Sequence, residues 1–171
     1  MVDTPWAPTP ALPSRVHIVT LRFLEGGRTA VDEAMTALGL AGLPDPGRSV
    51  GVDPCLLWSR PSELLLICSD ARFAVLALNE LRPGRHAQAY ALDSSDGMAV
   101  FRITPASGSR ATGLPLDAQS LPREPGQVSQ TRCDGVRVML VRIAPDTTLM
   151  LTDRAVDMPR LGAIGSDAMH A

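Results

Sequence analysis

Leu92-Asp93-Ser94-Ser95-Asp96-Gly97-Met98-Ala99-Val100-Phe101-Arg102-Ile103 lies near the middle of a 171-residue chain and joins two strand-forming runs. Aspartate and serine side chains bond nearby backbone amides, and glycine tolerates positive φ, so Asp93 to Gly97 is expected to be a turn with Gly97 in the left-handed region. Read as catalysis, Asp93 and Asp96 would be paired carboxylates, but their position between two strands favours the turn. On its far side, Val100-Phe101-Arg102-Ile103 echoes Thr20-Leu21-Arg22-Phe23. Ala144-Pro145-Asp146-Thr147 likewise echoes Arg60-Pro61-Ser62-Glu63, each at a hairpin tip, and each hairpin is followed by an aspartate, Asp153 and Asp70, placed to cap a helix. The simplest fold is α+β, with duplicated split βαβ-like units. Each unit reads strand, helix, hairpin, helix, with antiparallel or mixed sheets and the helices packed on one face.

The first half is the more explicit. Arg15 to Phe23 is rich in β-formers, and Glu25-Gly26-Gly27 turns into a helix. Thr29 with Asp32 three residues on has capping-box spacing, Val31, Ala34, Met35 and Leu38 repeat at helical spacing, and Gly39 can end the helix in a left-handed conformation. Cys55 to Ser59 and Leu64 to Cys68 flank Arg60-Pro61-Ser62-Glu63 as a hairpin whose two faces both read as buried. Asp70 caps a second helix running to Leu81 with Phe73, Leu76 and Ala77 inward; Pro83-Gly84 stops it, and a strand follows over Ala87 to Leu92. The boundaries expected are a proline-rich arm over 1–14, one domain over 15–163 in two half-repeats of about 15–92 and 93–163, and a tail over 164–171. Pro159 is expected to shorten or break the last helix.

Composition narrows the function. A hydrophobic content of 45% can bury a continuous core, while 4% aromatic residues leave few stacking platforms for bases or sugars. A net charge of −2 offers no overall attraction to nucleic acid or anionic membrane. All 16 basic residues are arginine, which removes the lysine of a phosphate-binding loop and Schiff-base chemistry. The arm has no basic residue before Arg15 and no apolar run, so neither a signal peptide nor a membrane anchor is expected. With Cys55, Cys68 and Cys133 in a chain without secretory features, free thiols and a cytoplasmic location are expected.

No catalytic constellation assembles from the residues. His17, His86 and His170 are scattered and lack metal-ligand spacing. Ser107-Gly108-Ser109 does not match a nucleophile elbow, and Gly26-Gly27 lacks dinucleotide spacing. A two-residue turn at Pro61-Ser62 would pair Arg60 with Glu63 and bring Cys55 opposite Cys68, although a longer loop would shift that register. Arg22 and Arg102, within strands, are the arginines placed to hold a structural carboxylate or to face a partner.

The order of these motifs resembles the gamma subunit of heterotetrameric sarcosine oxidase. Trp58-Ser59-Arg60-Pro61-Ser62-Glu63-Leu64-Leu65 is similar to that family's strand and Gly-Pro-Asp-Glu-like turn, with Arg60 in place of the usual glycine. Asp93-Ser94-Ser95-Asp96-Gly97 and Phe101-Arg102-Ile103 follow, with the usual Ser-Gly-Pro reduced to Thr104-Pro105. Next come the Cys-Pro-Leu-Asp-like segment Gly113-Leu114-Pro115-Leu116-Asp117, then Pro125-Gly126 and Gln130-Thr131. The likeness runs from roughly Trp58 to Ala155. The closing helix departs from it, since Asp153-Arg154-Ala155 leads into Met158-Pro159 and Gly162.

The resemblance implies a fragment of the folate-binding aminomethyltransferase fold and a non-catalytic subunit with no cofactor of its own. Its partners would be the alpha, beta and delta subunits, which would hold FAD, FMN, NAD, zinc and tetrahydrofolate. That assembly demethylates sarcosine to glycine, forms hydrogen peroxide and passes the one-carbon unit to tetrahydrofolate. The interface candidates carried over are Trp58, Asp93, Ser95, Asp96, Gly97, Arg102, Leu116, Asp117, Pro125, Gly126, Gln130 and Thr131. Two alternatives stay open: a stand-alone folate-binding aminomethyltransferase-like protein, and the gamma subunit of a related N-methyl amino acid oxidase or dehydrogenase.

Overall fold

The computed structural model describes residues 16–103, 116, 118–133 and 135–154. These fall into two compact units, Arg15–Asp96 and a second beginning at Gly97. The expected arm, the helix around Pro159 and the tail lie outside the described residues, as do Ser107 to Ser109, Asp117 and His170.

The first unit contains β1 (His17–Phe23), α1 (Arg28–Ala37), β2 (Ser49–Val50), β3 (Cys55–Arg60), β4 (Glu63–Cys68), α2 (Ala71–Glu80) and β5 (Ala89–Asp93). Its sheet runs β2-β3-β4-β1-β5, and every pairing in it is antiparallel. Alternation along the strands sends Val19, Leu21, Phe23, Leu56, Leu64, Leu66, Ala89 and Ala91 to one face, where they pack with Val31, Ala34 and Met35 of α1 and Ala74 and Ala77 of α2. The expected hairpin forms, and β4 is buried along its whole length.

Both helices exist, but their details differ from expectation. The Thr29 and Asp32 capping box does not form: α1 starts at Arg28 with Gly27 at the cap position and no side chain bonding its first turn. The reason lies upstream, where the Gly27 amide donates to Leu24 O at 2.8 Å and closes a tight turn one residue earlier. The other end behaves as expected. Gly39 has φ +87, its amide donates to Thr36 O, and the Leu40 amide donates to Met35 O at 3.0 Å, the paired bonds of a Schellman ending. Asp70 caps α2 by accepting from the Arg72 amide at 2.8 Å. Asp70→Ala should therefore lower stability by about 1 kcal/mol in urea melts, whereas Asp70→Asn, which keeps the acceptor, should change it little. Leu76 faces solvent instead of the core, because the small residues Ala74 and Ala77 are the ones set against the sheet.

The second unit contains β6 (Met98–Ile103), a 3-10 turn over Ala118–Ser120, β7 (Val128–Cys133), β8 (Val136–Ala144) and β9 (Thr147–Asp153). Its sheet runs β6-β9-β8-β7, again with antiparallel pairings. Read from the other end, β7-β8-β9-β6 takes the same course as β2-β3-β4-β1. The details match as well. The bulge between Trp58 and Arg60 recurs between Arg142 and Ala144, and the tip pair Arg60 with Glu63 recurs as Ala144 with Thr147. The bond from the Trp58 amide to Arg48 O recurs from the Arg142 amide to Gln127 O, both at 3.0 Å. Ile103, Cys133, Val138, Leu140 and Met150 form the core of this unit, with Leu116 packed against it.

Candidate functional site

The polar centre of the first unit lies at the hairpin tip, on the sheet face turned away from the helices. Arg22 of β1 pairs across the sheet with both Glu63 of β4 and Tyr90 of β5. Glu63 is buried, and its carboxylate is fully engaged: Arg22 Nε donates to Oε2 at 3.0 Å, Ser59 Oγ donates to Oε1 at 2.9 Å, and Arg60 Nε lies 3.8 Å from Oε1. The β-bulge brings Ser59 into this group, since the extra residue re-aims its hydroxyl toward Glu63. Hydrogen bonding to the Tyr90 hydroxyl, and then to Glu63, raises the Arg22 pKa further and holds the guanidinium charged. A cleft of about 330 Å³ opens here, lined by Arg22, Phe23, Leu24, Arg60, Ser62, Glu63 and Tyr90. Arg22 thus holds a structural carboxylate, as its place within a strand suggests. Arg102 reaches Thr147 Oγ1 at 3.4 Å, Thr147 being the counterpart of Glu63.

The Asp93 to Gly97 segment is the expected turn, stapled back onto β1. Asp93 Oδ1 accepts from the Ser95 hydroxyl at 2.6 Å and the Ser95 amide at 3.0 Å, and these bonds lower the Asp93 pKa. Ser95 Oγ accepts from the Ile18 amide at 3.0 Å, and the Ser94 and Thr20 hydroxyls meet at 2.6 Å. The positive φ expected of Gly97 is absent; it occurs at Gly126 and other turn glycines instead. The turn also leaves one sheet and enters another, with β5 in the first and β6 in the second.

The remaining residues carried over from the family pattern do not converge on one point. Trp58 is half-buried against the first core, and Leu116 is half-buried against the second. Pro125-Gly126 forms a turn whose Gly126 amide donates to Arg142 O at 2.7 Å. Gln130 is exposed and Thr131 half-buried on β7, while Arg102 is on β6, at the opposite edge of the same sheet. Asp96 and Gly97 are exposed.

Chemistry elsewhere is sparse. Among the described residues, no group of three or more His, Cys, Asp or Glu side chains could hold a metal ion, and no helix is long and apolar enough to cross a membrane. Cys55 and Cys68 are not opposite one another. The turn is the two-residue one, but the bulge shifts the ladder so that Cys55 faces Ile67, which puts the two thiols on opposite faces of the sheet.

All three cysteines are free and buried. Burial pushes the Cys55 thiol up to about 11, with Asp53 adding to this and a hydrogen bond to Ser49 opposing it. Burial and the charges of Asp53 and Asp70 take Cys68 to about 11 as well. Neither is a nucleophile near neutral pH. Both should alkylate with iodoacetamide far more slowly in the native protein than in urea, as read by mass spectrometry. The linkage has a definite sign. Between the ordinary thiol value of 9.0 and the folded value near 11, the unfolded chain releases its proton first. Stability should therefore fall across that window, by about 2 kcal/mol for Cys55 at its upper end.

The sequence reading missed the joint arrangement of Arg22, Ser59, Glu63 and Tyr90. Arg22 and Tyr90 are distant in sequence from the hairpin that carries Glu63, and only the bulge makes Ser59 part of the set.

No protein-family model and no curated protein matches the chain. Among solved structures, the chain shares its fold with a chain of the heterotetrameric sarcosine oxidase from Corynebacterium sp. U-96 in complex with pyrrole 2-carboxylate. The TM-score is 0.63 at 20% identity, over 81% of this chain and 71% of that one.

Proposed function

We propose that this protein is the gamma subunit of a heterotetrameric sarcosine oxidase-type complex, a packing subunit that carries no chemistry of its own. The observation that supports this most is the likeness in fold to a chain of such an oxidase. Because the aligned segment makes up 81% of this chain and 71% of the other, the matched chain is only modestly longer than 171 residues, as suits a small subunit. The ordered motifs from Trp58 to Thr131 point the same way. In this reading the two sheets are two copies of one unit, a fragment of the aminomethyltransferase folate-binding fold. The alpha, beta and delta subunits hold FAD, FMN, NAD, zinc and tetrahydrofolate. Sarcosine is oxidised to glycine with formation of hydrogen peroxide in those subunits, in the cytoplasm, and this chain keeps their sites aligned by burying surface against them.

Subunit interfaces of this obligate kind bury about 2,000 Å² or more. Co-expression with the alpha, beta and delta subunits, a tag on beta and size-exclusion chromatography test the proposal. The expected result is stoichiometric co-elution of all four chains. Elution of this chain as a separate monomer while the others assemble would overturn it.

A further inference from the structure

The geometry points to a binding site for a carboxylate that carries an apolar group, in the cleft between Arg22, Arg60 and Tyr90. The charge count is the first argument. Two guanidinium groups approach one carboxylate, Glu63, so among the described residues the cluster keeps one positive charge in excess. Glu63 is held by the Ser59 hydroxyl and Arg22 Nε, and Tyr90 stands directly across from Arg22 in the neighbouring strand. One guanidinium is therefore tied to Glu63, with its side chain still half exposed to the cleft. Arg60 meets Glu63 only through Nε at 3.8 Å and has a side chain 68% exposed, free to close on an incoming anion. Planar guanidinium groups bind carboxylates through paired N–H donors, and a second carboxylate here would balance the charge.

The rim supplies contacts for the apolar half of the ligand. Leu24 is 67% exposed and Tyr90 37%, and both line the cleft with the two arginines, which leaves apolar surface beside them. Tyrosine and arginine side by side are also the residues that dominate binding hot spots.

The repeat offers a comparison within the molecule. The counterpart hairpin has the same bulge and the same two-residue tip, yet Ile143, Ala144 and Thr147 stand where Ser59, Arg60 and Glu63 do. The fold can therefore make this hairpin without the charged set, and only the first unit has it. The ligand chemistry has two possible sources, a free carboxylic acid and an acidic side chain on another polypeptide.

Nitrogen-15 NMR of the full chain, following the side-chain Nε–H signals of Arg22 and Arg60, tests the site with phenylacetate as probe. Saturable shifts with a dissociation constant in the millimolar range are expected, and phenylacetamide, the same shape without charge, should give none. Arg60→Gln should weaken binding about tenfold and Arg60→Glu should abolish it, while Arg82→Gln at the end of α2 should leave it unchanged. Glu63 keeps Ser59 and Arg22 in both Arg60 variants, and their amide spectra serve as the check on folding. Tighter binding of the peptide acetyl-Phe-Glu-Phe-amide than of phenylacetate assigns the site to a polypeptide partner, and the reverse order assigns it to a free acid. Failure of both probes to saturate, an equal response to phenylacetamide, or unchanged binding in Arg60→Gln would overturn the proposal. None of these outcomes depends on the oxidase subunits.

Discussion

Leu66→Ala is expected to destabilise the first unit by about 4 kcal/mol, a large share of the roughly 5–15 kcal/mol that holds a typical domain folded. Leu66 is fully buried in β4, a strand flanked on both sides, with Val19 of β1 and Leu56 of β3 as its direct neighbours in register. Its side chain belongs to the cluster that joins the sheet to Val31 and Met35 of α1 and Ala77 of α2. Truncation removes the transfer free energy of the lost methyl groups and leaves a cavity between three elements that cannot all close in on it. The control is Leu24→Ala, at a leucine 67% exposed, which should lie within about 0.5 kcal/mol of the parent. Urea denaturation followed by tryptophan fluorescence checks both, and a Leu66→Ala midpoint as high as that of Leu24→Ala would refute this account of the core.

Gly27→Ala should destabilise by about 3 kcal/mol, for a reason of space and not of backbone conformation. Gly27 has φ −86, which any residue can adopt. A Cβ there would fall on the carbonyl oxygen of Gln88, the atom that accepts the Leu24 amide at 2.8 Å as the chain leaves β1. That carbonyl belongs to the backbone leading into β5 and cannot move without parting the β1 and β5 ladder. Gly26 provides the contrast, because a Cβ there meets only the side-chain end of the same Gln88, which can swing away. Gly26→Ala should therefore change the urea midpoint little and Gly27→Ala much. Equal effects would show that the Gln88 backbone is free to shift.

These two positions also mark what was legible in the sequence. The helix spacing from Val31 to Met35 and the ending at Gly39 could be read directly, because periodicity and a left-handed glycine are local properties. The start of α1 could not. The bond from the Gly27 amide to Leu24 O made glycine the cap position and left Thr29 inside the first turn. For α2, Phe73-Ala74-Val75-Leu76-Ala77-Leu78 is apolar nearly all round, so no periodicity identifies its buried side. Close approach to the sheet selected Ala74 and Ala77 and left Leu76 exposed.

At the hairpin tip the sequence left a two-residue turn and a longer loop both open; the structure has the shorter one, with Arg60 opposite Glu63, but not the cysteine pairing that such a turn alone would give. A bulge inserts one residue without an evident sequence mark, and that single step moves Cys55 to the other face. The arginine cluster was half legible. Arg22 within a strand calls for a carboxylate, yet nothing local says that Glu63, beside a turn, is the one that arrives. The echoes of Arg22 in Arg102 and of Pro61 in Pro145 pointed to strands that do occupy corresponding places in the two sheets.

The most direct test of the central claim, that this chain supplies packing while its partners carry the reaction, is sarcosine-dependent peroxide formation. It is measured with the alpha, beta and delta subunits expressed with and without this protein, and with this protein alone. The account predicts turnover by the four-chain assembly, a marked loss when this chain is omitted, and none from this chain by itself. Undiminished turnover without it, or turnover by the isolated chain, would contradict the account.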